Sequence, residues 1–189
     1  MRSAYLLTSL VLTLVLGISA KADENLNSTY KSMVDSKGNI TLPDNYRREW
    51  VFLGSYQVKS SSGDGWDTHN VYTQPQAVEG YRKKGKFPDG TVLVKDVNST
   101  QSEPLTTGLA YYSSDLQFTF MMVKDDNNRF PENPAWAEGW GWALFKPGIA
   151  KSETETWKGT GLNNCFGCHL PAKNNDWVYT QGYQQVLQN

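Results

Sequence analysis

The run Cys165-Phe166-Gly167-Cys168-His169 constrains this chain more than any other feature. Its thiols are the only two cysteines in 189 residues, and its imidazole is one of only two histidines. The pattern C-x-x-C-H is the attachment sequence of haem c. Each thiol can add across a vinyl group, and the adjacent imidazole then comes up beneath the iron. A covalent haem with His169 as axial ligand is therefore expected. A zinc site would need third and fourth ligands, and the sequence offers only His69 besides. A thioredoxin-like pair normally follows an early strand, whereas this one lies close to the C-terminus. No methionine follows His169, and Met121 and Met122 fall in a strand pattern where a thioether serves as core filler. The sixth coordination position is expected to be open or exchangeable, admitting small molecules such as NO, CO or hydroxylamine.

The N-terminus sets the compartment. Met1-Arg2-Ser3 gives a short positive start, Ala4 to Ile18 is uncharged and rich in Leu and Val, and Ala20-Lys21-Ala22 reads as an A-x-A cleavage site. The apolar core is shorter than the roughly 20 residues a bilayer span requires. Residues 1–22 are thus predicted to be a signal peptide that delivers a periplasmic product with no membrane anchor. The formal charge of -1, from 18 basic and 19 acidic residues, argues against a nucleic-acid partner. Aromatics make up 13% of the chain, with 7 Trp and 10 Tyr, more than a minimal core needs and suited to walling in a large flat ligand.

Residues 23–39 are polar without a clear period and read as a flexible lead-in. From residue 40 to 189, strand-length apolar runs alternate with turn residues: Trp50 to Val58, Asn70 to Thr73, Thr91 to Lys95, Leu116 to Val123 and Gly141 to Phe145. Leu116, Phe118, Phe120 and Met122 share one face by period-2 alternation. Asp89-Gly90 marks a turn into a strand. Pro75 opens a short helix that Gly85 ends, and Asp176 is placed to cap another carrying Tyr179, Tyr183, Val186 and Leu187. Ser60 to Gly65 and Asn98 to Thr107 read as loops. The predicted fold class is α+β: a mainly antiparallel β-sheet with a few short helices, in a single domain carrying a c-type haem.

Three blocks make the chain resemble the cytochrome P460 family: Leu42-Pro43-Asp44-Asn45-Tyr46-Arg47-Arg48-Glu49-Trp50-Val51, the stretch Tyr81 to Lys95 ending in F-x-D-G-T-x-x-V-K, and the haem motif followed by Asp176-Trp177-Val178-Tyr179-Thr180. The resemblance spans Ile40 to Leu187. It implies the same antiparallel fold, a proximal His169 and a homodimer. It also implies that Lys95 is bonded through its amine to a meso carbon of the porphyrin. Read from the residues alone, Lys95 is a strand-closing lysine that would face water. Such a bond needs the neutral amine, which burial beside an apolar haem edge favours. The related cytochromes c′-beta share the fold, lack that bond and bind NO behind an apolar cap.

Two positions depart from the hydroxylamine-oxidising pattern. His69 stands where those members carry an arginine, and an imidazole there could relay protons near neutral pH. A distal carboxylate of active members aligns near Thr160, with Glu153 and Glu155 close by but not aligned. Phe118 and Phe120 could line the pocket or be plain core. The expected function is hydroxylamine oxidation at a lysine-linked haem, with Lys95 and His69 as catalytic residues, Cys165, Cys168, Lys95 and His169 holding the cofactor, and a soluble acceptor cytochrome as partner. The alternatives are NO or CO capture without turnover, and electron carriage.

Overall fold

The computed structural model describes residues 24–60, 63 and 65–188. The expected signal segment, 1–22, lies outside them. Runs of alternating polarity become six strands: β1 (Val51–Lys59), β2 (Trp66–Thr73), β3 (Val92–Leu105), β4 (Gly108–Lys124), β5 (Trp136–Ala137) and β6 (Trp140–Phe145). They form one antiparallel sheet in the order β1-β2-β3-β4-β6-β5. With a few short helices around it, this is the α+β architecture expected from the sequence. No helix among the described residues is long and apolar enough to cross a membrane.

Strand periodicity gives the sheet two working faces. The back face, with Val92, Val94, Met121, Val123, Ala143 and Phe145, packs against Tyr30, Met33 and Tyr46. Those three come from helix α1 (24–33) and helix α2 (Tyr46–Glu49). The front face, with Leu53, Val71, Leu93, Met122, Trp140 and Trp142, packs against Ala77 and Val78 of helix α3 (Pro75–Lys84) and against the C-terminal segment. That segment contains helix α4 (Cys165–His169) and helix α5 (Gln184–Leu187). Helix α3 starts with Pro75 and ends at Gly85, whose φ of 70° lets its N–H reach the Tyr81 carbonyl at 2.7 Å.

Three local expectations need correction. Residues 24–33, read as part of a flexible lead-in, are helical, because Leu26, Tyr30 and Met33 recur at helical spacing and are all buried. Asn98 to Thr107, read as a loop, instead continues β3 to Leu105 and turns into β4 at Gly108. Its polar residues suit a two-stranded arm wetted on both faces, so no apolar alternation advertised it. Asp176 caps no helix: it has φ 54°, ends a 3-10 turn over Leu170–Asn175, and the expected helix is reduced to a 3-10 turn at Gln181–Tyr183 followed by α5.

On the back face a buried carboxylate ties the first sequence block to β3 and β4. Asp96 accepts from Tyr46 Oη at 2.6 Å, Arg47 Nε at 2.6 Å, Arg47 Nη2 at 3.0 Å and Thr119 Oγ1 at 2.9 Å. It fixes β3 from behind, one residue beyond Lys95.

Candidate haem site

Helix α4 exists because Asn164 stops the chain before it: its side-chain oxygen accepts the Gly167 N–H at 2.9 Å, satisfying an otherwise unpaired donor of the first turn. The short helix sets Cys165 and Cys168 one turn apart, the first buried and the second exposed, with no disulfide between them. Burial pushes the Cys165 thiol up to about 11. Phe166 anchors the helix by packing on Trp157 and Trp177, with centroids 5.1 and 6.1 Å away.

His169 is held from two sides. Its Nδ1 lies 2.7 Å from the Trp177 carbonyl, so the proton belongs on Nδ1, which donates to that oxygen and leaves the Nε2 lone pair free. Its ring meets Trp142 edge-on at 4.9 Å and Tyr179 at 5.8 Å, and Tyr179 donates its hydroxyl to the Cys168 carbonyl at 2.8 Å. Burial lowers the His169 pKa to about 4, overcoming the opposing pull of the Trp177 carbonyl. A neutral imidazole with a free Nε2 is what a metal ligand requires.

The opposing wall is the front face of β2, β3 and β4. Lys95 pairs with Val71 on one side and Phe120 on the other, and its Nζ stands 4.5 Å over the Phe120 ring. Burial depresses its pKa, while the thiols of Cys168 and Cys165 act in the opposite direction, so the amine and the attachment helix share one electrostatic environment. His69 pairs with Val97, a diagonal step from Lys95 on the same face. Burial, then the Lys95 charge, lowers its pKa to about 4. At that value the imidazole is neutral at pH 7. Phe118 pairs with Val97 and completes the apolar floor beside Phe120.

The carboxylates divide differently. Glu153 and Glu155 open onto a cleft of 970 Å³ shared with Trp142, Lys151 and Asn163, and neither Lys95 nor His69 lines it. Glu153 is paired with Lys146 at 2.9 Å, and Thr160 is exposed before a 3-10 turn. The carboxylate that does approach His69 is Asp67, two residues along β2 on the same face, whose charge acts to raise the His69 pKa. Sequence reading passed over it; the alternation Asp67-x-His69 within a strand was the available signal.

Among the described residues, no group of three or more His, Cys, Asp or Glu could hold a bare metal ion. A single free imidazole beside two unpaired thiols instead fits iron that arrives with four nitrogens of its own. The half-buried side chains of His69, Lys95, Phe118 and Phe120 share one sheet face, and Lys95 is within electrostatic reach of both thiols. The residues present fit a haem. A model of the family described as cytochrome P460 matches residues 43–180, and no curated protein matches the chain.

Proposed function

We propose, from the premise that the chain belongs to the cytochrome P460 family, that it is an exported oxidoreductase acting on hydroxylamine. Membership implies haem c. In this reading thioethers at Cys165 and Cys168 hold the group, His169 Nε2 ligates the iron, and the Lys95 amine is joined to the macrocycle. When bound, the haem supplies one-electron chemistry on a small nitrogenous ligand and a route for electrons to an acceptor cytochrome.

The chain's own residues do the rest. The Trp177 carbonyl keeps the His169 proton on Nδ1 and orients the ring. Burial holds Lys95 toward the neutral amine, the only form that can attack carbon. Replacing a ring hydrogen by that nitrogen removes two electrons and two protons overall, so Lys95 needs an external oxidant as well as its lost charge. His69 and Phe118 border the same wall, and Asp67 is the nearest carboxylate to accept a proton by way of His69. The observation that carries the proposal is that the Lys95 amine on β3 acts electrostatically on Cys165 and His169, so that the strand and the attachment helix border one site. Proteolysis of the holoprotein followed by mass analysis tests it: one haem should connect the Lys95 peptide to the Cys165–Cys168 peptide.

A second reading, NO or CO capture without turnover, is favoured by one observation. The carboxylates Glu153 and Glu155 lie on the Trp142 cleft rather than with Lys95. A haem that never links to Lys95 would select it. The homodimer is also a proposal, supported by the β3–β4 arm, where Leu105, Leu109, Tyr111 and Tyr112 are exposed.

A further inference from the structure

Behind His169 lies a buried cation that none of the steps above employs. Lys124, at the end of β4, is 5% exposed, and its Nζ bonds Asp176 Oδ1 at 2.7 Å and Asp126 Oδ1 at 3.2 Å. It also stands 4.8 Å over the Trp140 ring. Space for the ammonium depends on Gly139, where a Cβ would come within 3.2 Å of Nζ. Burying a charge this fully is costly unless it is paired, so something is obtained for it.

What it holds is the backbone that presents the Trp177 carbonyl. Asp176 and Trp177 are consecutive residues in the left-handed region, with φ of 54° and 64°, and for an indole-bearing residue that conformation is unfavourable on its own. Three ties keep it in place. Lys124 holds the Asp176 side chain, the Trp140 indole N–H holds the Asp176 carbonyl at 3.0 Å, and the Trp177 N–H reaches the Ala172 carbonyl at 3.0 Å. The other carboxylate oxygen, Asp176 Oδ2, is buried with no partner, so the side-chain tie rests on Oδ1 and Lys124. The Trp177 carbonyl so fixed is the one that receives His169 Nδ1.

We propose that the Lys124–Asp176 ion pair is a positioning element for the axial imidazole, acting through the Trp177 carbonyl to set the ring's orientation and basicity. This rests on the haem reading given above. Partners of this kind fix the tautomer of a ligating histidine and strengthen its donation to the metal. A firmer hydrogen bond at Nδ1 gives the imidazole more anionic character, strengthens the iron–nitrogen bond and favours ferric iron.

The test uses covalently loaded holoprotein. Lys124→Met is expected to retain the haem mass, to lower and broaden the iron–histidine stretching band of the ferrous form, and to raise the reduction potential. Lys124→Arg should return both toward the parent values. Asp126→Asn should leave them unchanged, since that partner is 40% exposed and does not touch the Trp177 turn. Should Lys124→Met fail to fold, Asp176→Asn carries the same expectation, because asparagine tolerates the left-handed backbone while removing the charge. A parent band and parent potential in either loaded variant overturn the proposal. A parent chain that carries no thioether-bound haem defeats the underlying reading instead, and mass analysis separates the two.

Discussion

Replacing Asp96 by alanine tests whether the back of the sheet sets the position of Lys95 at the front. The carboxylate is 3% exposed and takes the four bonds from Tyr46, Arg47 and Thr119 described above. Hydrogen bonds to a charged group contribute about 1.5–3 kcal/mol each, yet they do not add. The Arg47 side chain is 47% exposed and can rehydrate once freed, which discounts its share. Tyr46, by contrast, is 2% exposed and would keep a buried hydroxyl without its partner. A net loss of about 3 kcal/mol is expected, within the range for breaking a buried pair. For a chain of this length that corresponds to a melting temperature lower by about 6–12 °C, read by far-UV circular dichroism on the holoprotein. The same variant should yield less of the Lys95-linked peptide, because β3 loses its rear anchor beside that residue. A melting point within about 2 °C of the parent, together with an undiminished linked peptide, would refute the reasoning.

Other outcomes follow from the same geometry. In the haem-free chain, where Lys95 is an unlinked amine, Lys95→Met should move the His69 pKa upward from about 4, seen by NMR titration of its ring protons, with burial still holding it below the ordinary 6.5. Because the unfolded form of that chain binds these protons first, stability should decline as pH falls from 6.5 toward 4, by at most about 1.4 kcal/mol per unit for each of His69 and His169, and His69→Gln should remove one of the two shares. Gly182→Ala drives a Cβ to 2.8 Å from the Tyr56 ring and should cost about 1–3 kcal/mol in a denaturant titration by prising the C-terminal segment from β1. Charged substitutions at Leu109 and Tyr111 should halve the mass seen by sedimentation equilibrium if the arm joins two copies.

Much of the site was legible because its chemistry is local. Cys165, Cys168 and His169 fit on a single turn of helix, and the alternation through Phe118, Phe120 and Met122 assigned one strand face correctly, whereas a register shift past Phe118 pairs Leu116 with Asn98 and takes it out of that face. The Asp89-Gly90 turn and the Pro75 and Gly85 boundaries are likewise short-range signals that the structure keeps. What escaped depends on partners far along the chain. Asp176 looked like a helix cap because its binding partner, Lys124, is 52 residues away. Asp96 announced nothing until Tyr46 and Arg47 folded onto it from 50 and 49 residues upstream. The His69 pKa is lowered chiefly by burial, a property of the assembled sheet that the residue type alone does not carry.

The shared environment of Lys95 and Cys165 has a mechanical consequence. A macrocycle bonded at both positions would staple two points of the backbone separated by roughly 70 residues, much as a disulfide does. By the loop-closure estimate that constraint lowers the entropy of the denatured chain by the equivalent of about 4 kcal/mol. The pigment would then double as a rivet, and a fully bonded molecule would outlast, on heating, one whose ring is tethered at the tail alone.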